Sequence, residues 1–191
     1  MKRVYLVHQW SWGPSDGWYP WLTKELESRG FQVSVPTMPD TNHPTIAAWV
    51  RHLEKIVQPS DDETYFIGHS IGCQAIARFI AKTRTPAAGV LFVAGWFTLM
   101  GLESEEEKSI AQPWMETPID YRTFRSCVKK VVVLLSDDDP FVPIENAGLF
   151  RKNMGAKVII EKGAGHFTGE ETGVMEFPII LKTFLRLAHA D

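Results

Sequence analysis

The sequence predicts an α/β protein, a three-layer α/β/α sandwich around a mostly parallel sheet of about six strands. Three observations carry this. Short apolar runs alternate with stretches of helical apolar spacing from end to end. One run, Val131 to Leu135 (VVVLL), is wholly apolar, as suits a strand covered on both faces. No repeat or linker interrupts the 191 residues, so a single domain over 1–191 is expected.

The elements follow in order. Arg3 to Val7 (RVYLV) suits a buried first strand, and Gln9 to Gly17 a loop. Trp18, Trp21, Leu22 and Leu26 have helical spacing, with Gly30 placed as a C-cap glycine. Phe31 to Val35 alternates as a second strand, which Pro36 and Pro39 close. Pro44 opens a helix through Ile46, Trp49, Val50, Leu53 and Val57, and Pro59, Ser60, Asp61 and Asp62 turn out of it. Thr64 to Ile67 is the third strand, running into GHSIG and a helix through Ile76, Phe79 and Ile80. Gly89 to Val93 is the fourth strand. Ala94 to Met115 reads as irregular, and residues 95–113 as a small lid or pocket-lining loop. Tyr121 to Val128 reads as a short helix, VVVLL as the fifth strand, and Pro143 to Met154 as a helix ending near Gly155. Lys157 to Ile160 is the sixth strand. The loop GAGHFTG then leads to a last helix, Phe177 to Ala188.

Ligands of such sheets bind at the carboxyl ends of the strands. Those ends carry His8, Gln9 and Trp10 after the first strand, Gly68, His69 and Ser70 after the third, and SDDDP after the fifth. His166 follows the sixth. Ser, Asp, His is the chain order of the α/β-hydrolase triad. GHSIG fits a nucleophile elbow because a strand precedes it and a helix follows, although a serine there can also be a plain helix N-cap. Of the six histidines, His52, His189 and His43 read as solvated or packing residues, and His69 as pointing away from the serine hydroxyl. His8 is placed to brace the loop after the first strand. His166, in a loop able to reach the elbow, reads as the general base. One acid must orient the imidazole. Residue chemistry alone leaves Asp137, Asp138 and Asp139 open, with helix capping as a further use for them. Trp96, Phe97, Leu99 and Met100 are candidates for an acyl pocket, with core or lid packing as the alternative. Cys73 reads as a small packing residue or an oxidation-sensitive thiol beside the site.

Several classes are excluded. The 45% hydrophobic and 23% charged fractions argue against disorder, and a net charge of −3 gives no footprint for nucleic acid. No apolar run approaches the ~18 residues of a membrane span. The two cysteines, Cys73 and Cys127, form no CxxC pair or Cys/His cluster, so no metal is expected. The acidic run Glu103 to Glu107 reads as a solvated face. The N-terminus lacks the apolar core of a signal peptide, and a cytoplasmic location is expected.

The combination GWYPWLTKELESRGFQV, MPD, GHSIGC, DDPFVP and GHF spans nearly the whole chain. On it, the sequence resembles the YdeN / retinoblastoma-binding protein 9 group of small serine hydrolases, a reduced branch of the α/β-hydrolase superfamily. The resemblance implies Ser70 as nucleophile, His166 as base and Asp139, immediately before the proline, as the triad acid. It implies oxyanion donors at the backbone N–H of Ile71 and of Trp10. It departs at Gln9, where many relatives carry glycine. The implied activity is hydrolysis of a small acyl ester with no cofactor. A thioesterase or amidase using the same triad is an alternative, as is a noncatalytic interaction module. The tumour-suppressor-binding motif LxCxE is absent, which weighs against the latter.

Overall fold

In the computed structural model, residues 1–58, 62–169 and 173–189 are described. Six strands, β1 (Arg3–Val7), β2 (Gln32–Ser34), β3 (Thr64–His69), β4 (Gly89–Val93), β5 (Val131–Ser136) and β6 (Lys157–Glu161), form one sheet in the order β2-β1-β3-β4-β5-β6. Every pairing is parallel. The helices are α1 (Tyr19–Glu27), α2 (Ile46–Ile56), α3 (Ile71–Thr83), α4 (Glu105–Glu116), α5 (Tyr121–Cys127), α6 (Asn146–Met154) and α7 (Pro178–Ala188).

Strand side chains alternate between two cores, as the pleat requires. Tyr5, Val7, Phe66, Phe92, Val133 and Leu135 pack with Trp49 of α2, Ile76 of α3, Phe124 of α5 and Phe150 of α6. Val4, Leu6, Ile67, Leu91, Val93 and Leu134 pack with Leu22 of α1 and Phe184 of α7 on the opposite face. These are the three layers. The chain leaves β1 for β2 on one side and returns to place β3 on the other. That reversal opens a crevice between the ends of β1 and β3, which is where Gln9, Trp10 and Ser70 lie.

Two expectations change. The third strand runs past Ile67 through His69, because Gly68 and His69 pair with Phe92 and Val93 of β4 despite weak strand propensity. The stretch read as irregular contains α4. Ser104 Oγ accepts from Glu107 N–H while the Glu107 carboxylate accepts from the Ser104 N–H, a capping box that starts the helix. The acidic run is therefore a first helical turn, where negative charge suits the positive end of the helix dipole. Of the turn read at Pro59 to Asp62, positions 59–61 lie outside the described residues. No helix of the described residues is long and apolar enough to cross a membrane.

Candidate active site

Ser70 sits between β3 and α3 with φ 52° and ψ −118°, a conformation that L-residues adopt only when the surroundings impose it. The neighbouring glycines impose it. A Cβ at Gly68 would stand 2.8 Å from the Cys73 backbone, and one at Gly72 would run into the Val7 carbonyl. Only glycine lets the turn lie this close to β1, and the serine side chain is thereby raised over the sheet end.

The three aspartates after β5 divide by partner. At the end of β5, Asp137 Oδ1 accepts from Gly163 N–H (3.0 Å), Ser136 Oγ from Ala164 N–H (2.9 Å) and Asp138 Oδ1 from Gly165 N–H (2.8 Å). These three side chains hold the backbone of the loop that carries His166. Asp139 is the one that meets the imidazole. His166 Nδ1–H donates to its Oδ2 at 2.8 Å, while Oδ1 accepts from the N–H groups of Phe141 and Val142. Both residues are buried, at 4% exposure for Asp139 and 9% for His166. With Nδ1 committed as donor, neutral His166 presents Nε2 as a proton acceptor.

The loop is also held from beneath. His69 Nε2–H donates to the His166 carbonyl (2.8 Å), so its Nδ1 accepts from the Tyr19 hydroxyl (2.8 Å), which in turn accepts from Gln9 N–H (3.0 Å). This buried relay joins the loop after β1 to the loop after β6. Burial holds His69 well below the ordinary histidine range, so it stays neutral, and pushes the Tyr19 hydroxyl well up. Trp18 Nε1–H donates to the Phe167 carbonyl, at a residue with φ 55°. His8 donates from Nδ1 to the Gln9 carbonyl and accepts from Met38 N–H, so it braces the first loop. Burial lowers its pKa too.

Ser70, Ile71, His166, Trp10 and Gln9 line one cavity of about 480 Å³, whose apolar wall includes Leu99, Leu102, Ile110 and Phe141. Trp96 also lines it. The indole Nε1–H donates to Ser70 Oγ at 3.2 Å, and among the described residues this is the hydrogen bond that the hydroxyl makes. Phe97 is placed elsewhere. Its ring packs on Phe150 (4.4 Å between centroids) and Tyr121, at the edge of the core cluster that also holds Trp96. Leu99 lines the cavity, whereas Met100 is exposed. Cys73 is buried against the Val93 carbonyl, and burial pushes its thiol well up. Both facts favour packing over oxidation. Among the described residues no group of three or more His, Cys, Asp or Glu is placed to hold a metal ion.

Sequence reasoning passed over Tyr19 and Asn146. The Asn146 Oδ1 accepts from Phe97 and Thr98 N–H and its Nδ2 donates to Thr98 and Pro143 carbonyls, fixing the turn after β4. A polar residue inside an otherwise apolar helix face is the signal that points to such a clamp.

The profile of a family described as serine hydrolase matches residues 4–186. The chain is 26% identical to the YdeN protein of Bacillus subtilis (strain 168) over 181 residues, 94% of this chain and 92% of that one. It is 30% identical to serine hydrolase RBBP9 of Rattus norvegicus over 156 residues, 81% and 80% of the two chains. The crystal structure of the B. subtilis ydeN gene product superposes with a TM-score of 0.87 at 25% identity over 98% of both chains. Est1E of Butyrivibrio proteoclasticus with ferulic acid bound superposes at 0.72, over 100% of this chain and 90% of that one; at 14% identity this likeness extends to the fold. The architecture is thus a reduced α/β-hydrolase fold.

Proposed function

The chain belongs to the serine hydrolase family, and from that premise we propose that it is a carboxylesterase acting on small acyl esters through an acyl-enzyme on Ser70. The observation that carries the reading is the buried Asp139–His166 hydrogen bond (2.8 Å) on the cavity into which the strained elbow raises Ser70.

Ser70 Oγ attacks the ester carbonyl and His166 Nε2 takes its proton. Asp139 keeps the imidazole in the tautomer that leaves Nε2 free and stabilises the imidazolium. The oxyanion is received by the N–H of Ile71 and the N–H of Trp10. Ile71 is the first residue of α3, where a backbone N–H has no acceptor within the helix. In the loop after β1, Gln9 N–H is occupied by the Tyr19 hydroxyl and Ser11 N–H by the Thr41 carbonyl, which leaves Trp10. The alcohol departs with the proton from His166. A water deprotonated by the same histidine then attacks the acyl carbon and restores Ser70. The cavity, about 480 Å³ with an apolar wall, suits a compact acyl group. The segment 95–113 and the start of α4 act as a small lid over it.

A fluorophosphonate probe tests the nucleophile. It labels the wild type and fails to label Ser70→Ala; an unlabelled wild type sinks the enzymatic reading and leaves the interaction module. Turnover of p-nitrophenyl acetate, acetyl-CoA and an aryl acetamide then tests the ester. The ester is turned over fastest, and a faster thioester or amide overturns the carboxylesterase assignment.

A further inference from the structure

Four buried tryptophans aim their indole N–H at an acceptor, and one of them differs. Trp18, Trp49 and Trp114 donate to the backbone carbonyls of Phe167, Pro39 and Pro44. That is the ordinary fate of a buried indole. Trp96 donates instead to Ser70 Oγ.

The local chain is built to put it there. Ala94 has φ 47°, a left-handed conformation that a non-glycine residue holds only under constraint. Gly95 follows, and a Cβ on it would lie 2.9 Å from the Phe150 ring and 3.2 Å from Cys73 Sγ. The Trp96 carbonyl accepts from Gln74 Nε2 of α3 at 2.8 Å. Asn146 of α6 holds the next two N–H groups. The turn is thus clamped from two helices, and the indole is 2% exposed.

We propose that Trp96 is a catalytic hydrogen-bond donor to the nucleophile oxygen, and that its main effect falls on deacylation. The inference rests on the reading of Ser70 as nucleophile. In the free enzyme the indole occupies one lone pair of Oγ, which directs the hydroxyl's own proton away from it, toward the cavity and His166. The same donation draws electron density from the attacking oxygen, so gain and loss in acylation largely offset. The acyl-enzyme differs. There Oγ is an ester oxygen, its lone pairs delocalised into the carbonyl, and it is a weak acceptor. When water attacks the acyl carbon and His166 takes the water proton, that delocalisation ends. As the C–Oγ bond breaks, Oγ takes the electron pair and receives the proton back from His166. The indole N–H therefore binds the transition state for release more strongly than the acyl-enzyme, which is the condition for catalysis.

The test is pre-steady-state hydrolysis of p-nitrophenyl acetate, with fluorophosphonate labelling rates measured alongside. The variants are Trp96→Phe and Trp96→3-benzothienylalanine, the second keeping the bicyclic shape while replacing N–H with sulfur. Both are expected to lose about tenfold in the deacylation rate, the scale of one hydrogen bond to a developing charge. Burst and labelling rates change less than about threefold, so the burst grows relative to turnover. Wild-type turnover in the benzothienyl variant overturns the proposal, as does an equal fall in all three rates. An unlabelled wild type overturns the nucleophile reading and this inference with it. A labelled wild type with an unaffected benzothienyl variant overturns this inference alone.

Discussion

The loop that carries His166 and the segment that carries α4 face each other across the cavity, and they are held in different ways. Residues 163–167 are pinned by hydrogen bonds from three directions: Ser136, Asp137 and Asp138 on the backbone N–H groups, and, buried, His69 and Trp18 on the carbonyls and Asp139 on the imidazole. The α4 segment buries only Ala111 and Trp114. It is tied at its far end, where the buried Arg78 guanidinium donates to the carbonyls of Trp114, Thr117 and Pro118. Its near end, over the cavity, meets the rest of the protein through the exposed His43–Glu106 pair, a kind of contact that contributes little. Around the His166 imidazole and carbonyl, the chain is locked by buried bonds that are costly to leave unmade. At the start of α4, it is held by contacts that yield at little cost.

The sharpest test of the locked side separates the three aspartates. Asp139→Asn is expected to lower kcat by about 10⁴, because the imidazole loses the partner that sets its tautomer. Asp137→Asn and Asp138→Asn, whose carboxylates hold loop backbone and, for Asp138, the Ser136 hydroxyl, and do not reach the imidazole, cost less than about tenfold in steady-state assays. Equal losses in all three would erase the partition.

Next in size is the relay beneath the loop. His69→Ala strips buried partners from the Tyr19 hydroxyl and the His166 carbonyl and is expected to cost about 2–4 kcal/mol in urea unfolding. His69→Gln, whose amide offers one acceptor and one donor, recovers most of that. A further consequence is a pH dependence. His69 and His8 have native pKa values below the unfolded value of 6.5. The unfolded chain therefore binds protons that the native one refuses. Stability is complete above about pH 6.5 and declines as pH falls below it toward the native values. Urea midpoints drop between about pH 7.5 and 5.5 in the wild type, and the drop shrinks in His69→Gln; an unchanged slope would mean that folding does not lower the pKa of His69.

The smallest effect belongs to the yielding side. Ser104→Ala removes half of the capping box and is expected to cost about 1 kcal/mol locally. Amide exchange in the first turn of α4 speeds up while the urea midpoint stays put. A global loss would show that the start of α4 is part of the core after all.

What was legible in the sequence divides along the same line. The strands announced themselves as apolar runs because a parallel sheet is buried on both faces, and the elbow by glycines that only a close backbone approach requires. The choice among Asp137, Asp138 and Asp139 was not readable from residue chemistry, because all three serve one loop and differ only in which atom they reach. The resemblance pointed to Asp139, the residue that the structure places on the imidazole. The helix α4 was missed because it has too few buried positions to show a period. Its clearest signal, Ser104 followed by Glu107, is a capping pattern rather than a hydrophobic one. Phe97 reads as a pocket residue beside Trp96, yet its ring is taken up by Phe150 and Tyr121 and does not line the cavity at Ser70.

The chain from Gln9 N–H through Tyr19 and His69 to the His166 carbonyl has a direction, since it starts at a donor, ends at an acceptor, and Tyr19 and His69 between them each give and take. It works as a calibrated spacer between the two jaws of the crevice, with a length of two side chains and a polarity that cannot be reversed. Tyr19 and His69 therefore act as one part: a replacement at either keeps the spacer only if it restores both the reach and the sense of the bonds.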